Sequence, residues 1–239
     1  MTEMLSSPPA DPDVASMLDR PAWTALTTLH AHLAEGGDLA RRYDPSIVPF
    51  AATLDDSPEC LAALAALPAP GESMLFLQAD PVALPANLTA TLEADGVQMI
   101  AMDDLPAIED PRIVQLGEAD ASDMLELATL TKPGPFTLKA LRLGGFWGIR
   151  RDGRLVAMAG ERMKQPGFTE ISGVCTHPEA RGNGYARLLS LFVAGRIAAS
   201  GERPYLHAWA SNAAAIRLYE SLGFTLRRKM HVTMAVRTS

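Results

Sequence analysis

The most regular spacing of apolar side chains lies in residues 168–200. Residues 168–176 are predicted to form a buried strand, and a short polar turn follows them. Apolar residues then recur at intervals of three and four, which is the spacing of one helical face. These residues are Tyr185, Leu188, Leu189, Phe192, Val193 and Ile197. Because Gly201 ends the periodic run, the stretch is predicted to form a strand, a loop and a helix.

The loop of this unit suits a phosphate group. The first turn of a helix has backbone N–H groups without intrahelical acceptors and carries the positive end of the helix dipole. Gly182 and Gly184 lack a Cβ and let the backbone approach a ligand closely, and Arg181 adds a positive charge. Since many glycine-rich turns do no more than close a loop, the turn alone is weak evidence, and its sequence context carries the interpretation.

Two segments in this order resemble the signatures of the GNAT superfamily of N-acetyltransferases. Residues 174–186, VCTHPEARGNGYA, resemble its acetyl-CoA-binding motif, Arg/Gln-x-x-Gly-x-Gly/Ala, through Arg181, Gly184 and Ala186. Residues 210–224, ASNAAAIRLYESLGF, resemble its second hallmark, Asn-x-x-Ala-x-x-x-Tyr-x-x-x-Gly-Phe. The resemblance covers residues 112–237 and does not extend to the first hundred.

The resemblance implies the GNAT fold, an α/β (α+β) architecture whose mixed, mostly antiparallel central sheet is flanked by helices. The hydrophobic pattern predicts elements in an order that agrees with this fold. They are a strand at 113–116, helices at 119–130 and 138–143, a hairpin of 146–150 and 155–163 joined through Asp152 and Gly153, the strand at 168–176 with its helix, a strand at 205–209, a helix at 212–221 and closing strands at 224–234.

The chain before residue 106 is predicted to form a smaller, preceding α/β domain. Its expected elements are a helix at 21–35 with Asp19 as its cap and Trp23, Leu26, Leu29 and Leu33 on one side, strands at 47–52, 73–78 and 97–101, and helices at 57–67 and 86–95. It has no counterpart of the Arg-x-x-Gly-x-Gly motif. Residues 17–105 are therefore expected to be an accessory or degenerate GNAT-like domain, or an unrelated cap.

The expected ends of these domains follow from composition. Residues 1–16 are rich in Pro, Ser and Asp and are predicted to be a disordered tail. Residues 102–111, MDDLPAIEDP, are acidic and bracketed by proline, so they are the expected boundary. The N-acetyltransferase domain would then occupy residues 112–239.

Composition and charge narrow the expected partners. Of the 239 residues 48% are hydrophobic, but no apolar run approaches the roughly 20 residues that cross a bilayer, and the first residues lack the features of a signal peptide. A cytoplasmic protein without a membrane partner is expected. The net charge of −7 argues against nucleic acid and weakly favours a cationic amine, and the run Arg227, Arg228, Lys229 is expected to be solvated surface. The sequence leaves both a homodimer and a monomer open.

The resemblance implies that acetyl-CoA is the acyl donor. Strand residues from Val174 would lie along the pantetheine arm, one strand N–H would polarise the thioester carbonyl, and residues 182–187 would bind the pyrophosphate. Asn212 would contact the arm, although capping of the next helix is a competing interpretation. Gly173 either creates a bulge or is a packing glycine. The predicted cofactor-binding set is Val174, Cys175, Thr176, Arg181, Gly182, Asn183, Gly184, Tyr185, Ala186, Arg187 and Asn212.

Three residues are candidates for proton transfer. Tyr219 is the predicted general acid, because its reference pKa of about 10 exceeds the roughly 8.5 of a thiol; a half-buried structural tyrosine is the alternative. Glu170 and His207 are the candidates for the base that deprotonates the amine, and a water chain is the third. His207 is otherwise a core histidine whose ring nitrogens are satisfied.

Two other residues are expected to take no part in the chemistry. Cys175 lacks a partner that would activate its thiol, so a covalent acyl-enzyme is not expected. His177 and Pro178 are expected to shape the turn, and no metal site is suggested by a chain with two cysteines.

The expected function is transfer of an acetyl group from acetyl-CoA to a primary amine by direct attack in a ternary complex. The amine is expected on a small molecule or a peptide, and the preceding domain could form one wall of its pocket. The alternative is a non-catalytic acyl-CoA-binding regulatory protein.

Overall fold

The structure is a computed structural model that describes residues 16–102 and 105–238. The predicted disordered tail lies outside the described residues except for its last position. The strands are β1 (Ala34–Gly36), β2 (Ala40–Tyr43), β3 (Ala51–Thr53), β4 (Ser73–Gln78), β5 (Leu88–Ala101), β6 (Ile113–Leu116), β7 (Phe146–Arg151), β8 (Arg154–Gln165), β9 (Phe168–Thr176), β10 (Arg203–Trp209) and β11 (Phe224–Arg237). The α-helices are α1 (Pro21–Thr27), α2 (Pro58–Ala66), α3 (Ala121–Thr131), α4 (Tyr185–Ala199) and α5 (Ala213–Glu220).

Eight of the described strands form one sheet in the order β4-β11-β5-β10-β9-β8-β7-β6. β9 and β10 are parallel, whereas the other neighbours in this sheet are antiparallel. The strands β1, β2 and β3 form a separate small sheet, and an isolated bridge between Phe50 and Leu75 links the chain after β2 to the large sheet. The mixed, mostly antiparallel architecture is therefore confirmed.

The large sheet contains strands from both sides of the predicted domain boundary. β4 and β5 precede residues 102–111, and both pair with β11 at the end of the chain. Residues 103 and 104 of that boundary lie outside the described residues. The division into two domains remains a prediction, but the preceding segment contributes two strands to the sheet that holds the site.

Helices cover both faces of the large sheet. Alternate residues of a strand point to opposite faces, so Trp147 packs in the cluster that contains Leu189 of α4, whereas Phe146 packs in the cluster that contains Met124 of α3. Both clusters are apolar, which removes the inward faces of α3 and α4 from water. The site forms at the end of this sandwich where β9 and β10 meet α4.

Local sequence signals predict the second half of the chain closely. The strands at 113–116 and 168–176 have the predicted bounds, and α4 begins at Tyr185. The hairpin between β7 and β8 turns through Asp152 with φ 51° and Gly153 with φ 81°, and positive φ at both positions is the signature of a type I′ turn. The helical piece predicted at 138–143 is a 3₁₀ turn at Ala140–Arg142.

The prediction of one helix over residues 21–35 is wrong. α1 ends at Thr27, a 3₁₀ turn follows, and residues 34–36 pair with β2. Leu29, which the spacing assigned to the buried face, is 46% exposed. The backbone leaves the helical conformation at Thr28, with φ −125° and ψ −106°. Contacts with β2 stabilise the path that follows, including one of 2.9 Å between Nδ1 of buried His30 and the hydroxyl of Tyr43. Asp19 is not the cap, since its carboxylate binds Arg227 and Arg228 instead, at 2.7 Å from each.

Two further predictions in the first part of the chain are corrected. Residues 86–95 do not form a helix, because residues 88–101 form the long strand β5, which pairs with β11 along its length. This pairing overrides the weak helical propensity of the segment. The strand predicted at 47–52 is shorter, because residues 44–47 form a turn and only Ala51–Thr53 pair with β2. No helix in the described part of the chain is both long and apolar enough to span a membrane.

Candidate active site

The site begins where β9 and β10 separate. Their parallel register runs from Phe168 opposite Arg203 to Ile171 opposite Leu206 and does not continue. On its other edge β9 contains one residue more than β8 between consecutive pairs, which is the definition of a β-bulge. Gly173 lies in this bulge with φ 64°, and a Cβ there would lie 2.8 Å from Cε1 of Phe146. Both interpretations of Gly173 are therefore correct.

The gap between the two strands is part of a cavity of about 480 Å³, which we call the first cavity. Its walls are the end of β9, the loop to α4, the end of β10 and α5. The predicted cofactor-binding residues line it, apart from Asn183. The amide of Asn183 instead donates to the carbonyl oxygen of Ala180 at 2.9 Å, so this side chain closes the loop.

One end of the first cavity is built for an anion. Gly184 caps α4 with φ 74° and Gly182 has φ 82°, a conformation that favours glycine. A Cβ at either position would have no heavy atom within 4 Å, so the space in front of both is open. Arg181 and Arg187 line the same end. Backbone N–H groups, the helix dipole and two cations together suit a diphosphate.

Thr176 and Asn212 are two polar residues that line the first cavity. Oγ1 of Thr176 is buried and has no hydrogen-bond partner among the described residues. Such an atom is costly unless a ligand or water satisfies it. Oδ1 of Asn212 accepts from the N–H of Ala215 at 3.1 Å, so the capping interpretation of this residue is observed. Its contact with a cofactor remains a prediction.

Tyr219 and Cys175 both line the first cavity and are 7% exposed. Burial is the main cause that raises the pKa of Tyr219 to about 12, and the nearby Cys175 is a smaller cause in the same direction. Burial raises the pKa of Cys175 to about 11. The tyrosine therefore keeps its proton at neutral pH, and the thiol is not a thiolate nucleophile, which argues against an acyl-enzyme.

Glu170 is buried next to the first cavity and forms a bidentate ion pair with Arg162. It is fully buried, and its two oxygens accept from Nε and Nη2 of Arg162 at 2.8 and 2.5 Å. Burial raises its pKa, but the charge and hydrogen bonds of Arg162, with those of His207, outweigh burial and lower the pKa to about 2. Glu170 does not line the first cavity, and its oxygens already have partners.

His207 lies at the edge of the first cavity and hydrogen-bonds through both ring nitrogens. Nδ1 lies 2.7 Å from Oε1 of Glu170, and Nε2 lies 2.9 Å from Nε2 of Gln98. Oε1 of Gln98 accepts from Arg227 at 2.7 Å, which fixes the Gln98 amide so that its nitrogen faces His207. The network thus assigns a neutral imidazole that donates from Nδ1 to Glu170 and accepts at Nε2.

Known proteins match both the sequence and the architecture. The family model for FR47-like protein matches residues 146–232. A crystal structure assigned to the GNAT family of acetyltransferases, from Novosphingobium aromaticivorans, is 46% identical with a TM-score of 0.87, and the match covers 93% of this chain and 99% of that chain. The chain belongs to the GNAT family of acetyltransferases.

More distant structures share the fold. A GCN5-related N-acetyltransferase from Kribbella flavida has a TM-score of 0.61 at 17% identity, over 93% of this chain and 96% of that chain. A Drosophila protein has a TM-score of 0.61 at 18% identity, over 84% of this chain and 74% of that chain. No curated protein matches the sequence.

A second cavity of this GNAT acetyltransferase, of about 80 Å³, adjoins the first. The two share Pro133 and the β10 residues His207, Ala208 and Trp209. The second cavity is lined mainly by apolar side chains, some from the chain before the predicted domain boundary, and by Arg162.

Sequence reasoning missed three polar residues of the GNAT site. Arg162 lies in the mostly polar end of β8, residues 161–165, and Gln98 is a fully buried amide in β5. Arg227 was expected to be solvated, but its side chain is 15% exposed and it binds Gln98 and Asp19. An amide residue in an apolar stretch of a strand is the signal that could have identified Gln98, because buried polar groups need partners. No local signal distinguishes Arg162 from its polar neighbours in β8.

His177 has the structural role expected of it. Nδ1 of His177 accepts from the N–H of Glu179 at 3.2 Å, at the start of the 3₁₀ turn that leads to the loop. Its Nε2 lies 2.6 Å from Nη2 of Arg154. No group of three or more His, Cys, Asp or Glu side chains that could hold a metal ion occurs within residues 16–102 and 105–238.

Proposed function

We propose that this GNAT acetyltransferase transfers an acetyl group from acetyl-CoA to a primary amine by direct attack in a ternary complex. The observation that supports it best is the first cavity, where the anion-binding end at Gly184, the separated strands and Tyr219 all face one space. A CoA thioester has a diphosphate, an amide-containing arm and a reactive carbonyl. Each part matches one region of the cavity.

Binding would use mostly backbone groups. The diphosphate would accept from the N–H groups of the first turn of α4, between Arg181 and Arg187. The amides of the arm would pair with the backbone at the end of β9, which β10 no longer pairs with.

The chemical step needs one acid and one proton acceptor. The lone pair of the neutral amine attacks the thioester carbonyl carbon, a C–N bond forms, and an N–H of β9 stabilises the oxyanion. The resulting tetrahedral intermediate then collapses and its C–S bond breaks. The departing thiolate takes the proton of the Tyr219 hydroxyl. The amine proton passes to the base and then to solvent, and solvent returns a proton to the tyrosine. The products are an amide and CoA with a free thiol.

His207 is the proposed base, and Glu170 is a positioning residue. Glu170 holds Nδ1–H of His207, which leaves Nε2 as the acceptor at the junction of the two cavities. To take the proton, Nε2 of His207 must give up its hydrogen bond with the amide of Gln98 and bind the substrate amine instead. A chain of water molecules is the alternative route. The buried ion pair with Arg162 makes direct proton abstraction by Glu170 unfavourable, because protonating this carboxylate breaks that pair.

The test is release of free CoA thiol from acetyl-CoA in the presence of pooled amino acids, polyamines, aminoglycosides or short peptides, with acetyl-CoA binding measured in parallel. We expect tight binding and release that depends on one pool. Binding without release from any pool would favour the regulatory protein, and absence of both would overturn the proposal.

A further inference from the structure

The second cavity has a polar end formed by Arg162. Nε and Nη2 of Arg162 are held by Glu170, and its Cζ lies 4.9 Å from the centre of the Phe50 ring. Nη1 has no acceptor among the described residues and would lie 3.8 Å from a Cβ placed on Gly134, which lines the same cavity. A rigidly held guanidinium thus offers its remaining N–H groups to an oxygen of a bound molecule.

The rest of the lining of the second cavity is mainly apolar. Leu75 and Leu77 of β4 and Val232 of β11 line it together with Phe50. A space of about 80 Å³ holds only a few non-hydrogen atoms, so it suits a small branched side chain better than a long chain or a sugar ring. No Asp or Glu lines this cavity within the described ranges.

His207 and Arg162 lie a short distance apart. Oε1 of Glu170 accepts from both Nδ1 of His207 and Nη2 of Arg162, at 2.7 and 2.5 Å. A molecule whose amine lies by His207, near the thioester, therefore has Arg162 within a few ångströms. In such a molecule, only a few covalent bonds can separate the amine nitrogen from the oxygen that accepts from Arg162.

We propose that the acceptor is an α-aminoacyl compound with a small aliphatic side chain, an inference that rests on the proposed acetyl transfer. Its amine faces the first cavity beside His207, its carboxylate or amide carbonyl oxygen accepts from Nη1 of Arg162, and its side chain packs against Leu75 and Leu77. A polyamine or aminoglycoside does not fit, because a further ammonium group would meet Arg162 without an acidic partner. The acidic net charge of the whole chain is thus a poor guide to the acceptor.

The experiment compares four amines by thiol release from acetyl-CoA: L-valine, L-valinamide, isobutylamine and putrescine. Isobutylamine has the side chain and amine of valine but no carbonyl oxygen. We expect valine or valinamide to exceed isobutylamine and putrescine by roughly 100-fold or more in kcat/KM, since a site built to bind an oxygen strongly rejects the analogue that lacks it. If valine has a higher kcat/KM than valinamide, the oxygen that Arg162 binds belongs to a free carboxylate. If valinamide has the higher value, the oxygen belongs to an amide.

Isobutylamine or putrescine as good as both aminoacyl compounds would overturn this inference and leave acetyl transfer intact. Turnover with amines of other pools but with none of these four would likewise overturn it. Absence of thiol release with every amine would instead count against the proposed function, so the two failures are distinguishable.

Two variants test the orientation. Arg162→Lys keeps a charge for Glu170 but lacks the second terminal nitrogen, so we expect a higher KM for the aminoacyl substrate, unchanged acetyl-CoA affinity and a smaller preference over isobutylamine. Because this variant alters a buried ion pair, Leu77→Phe provides a second test at the apolar lining. It should lower kcat/KM for valine roughly tenfold more than for glycine, which has no side chain to place. An equal effect on both amino acids would contradict the orientation.

Discussion

Oε1 of Glu170 lies 2.7 Å from Nδ1 of His207, and it also accepts from Arg162. A carboxylate on the central strand of a GNAT sheet is a natural candidate for the base, but this one is buried and already paired. The hydrogen bond from Nδ1 of His207 to Glu170 orients the imidazole and leaves Nε2 of His207 as the hydrogen-bond acceptor. The proton relay we propose therefore begins at His207 and is held in place by Glu170.

Replacing His207 by glutamine should lower kcat/KM roughly 100-fold or more, the range found for loss of a general base. Steady-state assays of thiol release measure this change. His231→Gln, on β11 and outside both cavities, is the matched control. Activity of His207→Gln equal to that of the wild type would assign the proton to water instead.

Removing the hydroxyl of Tyr219 with Tyr219→Phe should lower kcat roughly 100-fold and leave acetyl-CoA affinity nearly unchanged, because the proton is needed only when the thiolate departs. Stopped assays of thiol release and direct titration with acetyl-CoA provide the two values. Tyr43→Phe removes another buried tyrosine hydroxyl, one that binds His30, and should affect stability more than kcat. Equal kcat for Tyr219→Phe and wild type would exclude the acid role.

Gly184→Ala should weaken acetyl-CoA binding tenfold or more. The new Cβ would force a side chain into a conformation with φ 74° and project into the space where the diphosphate would lie. Gly201→Ala is the matched control, because Gly201 has φ 81°, also has open space at its Cβ position and lies at the far end of α4. Both variants should lose about 1–2 kcal/mol of stability, but affinity, measured by calorimetry, should fall only in the first. Similar affinity losses in both would contradict the proposed phosphate site.

The folded protein should lose stability in two steps as the pH falls. Burial, together with the charge of Lys164, lowers the pKa of His30 to about 4, so its contribution is present above about pH 6.5 and is lost as pH falls toward 4. The lowered pKa of Glu170, about 2, makes its contribution complete above about pH 4.5, and that contribution is lost as pH falls toward 2.

Denaturant unfolding at several pH values measures these steps. Glu170 should contribute on the order of 3 kcal/mol to the lower step in the wild type. Glu170→Gln should make that step smaller by about this amount and retain the upper step, while lowering stability at neutral pH because Arg162 loses its partner. A lower step of unchanged size in Glu170→Gln would show that other carboxylates cause it.

Much of the acetyltransferase half was predictable because its signals are local. Positive φ at Asp152 and Gly153 determines the hairpin, and Gly184 with the periodic face of α4 determines where the helix begins. The first part of the chain was less predictable. Residues 86–95 have no strong local preference and become a strand because β11 pairs with them. Leu29 follows the helical spacing, yet the helix ends before it, and the following residues contact β2 instead, as His30 does at Tyr43.

The sequence by itself determined the family, the strand–loop–helix unit and many of the residues that line the first cavity. These depend on backbone conformations and spacings encoded within a few neighbouring positions. Only the tertiary structure decided that Glu170 is paired with Arg162, that Gln98 faces His207 and that Phe50 and Leu75 line the second cavity. Partners so distant along the chain meet through sheet pairing and burial, and the need of each buried charge or amide for a partner is satisfied only in the assembled sheet.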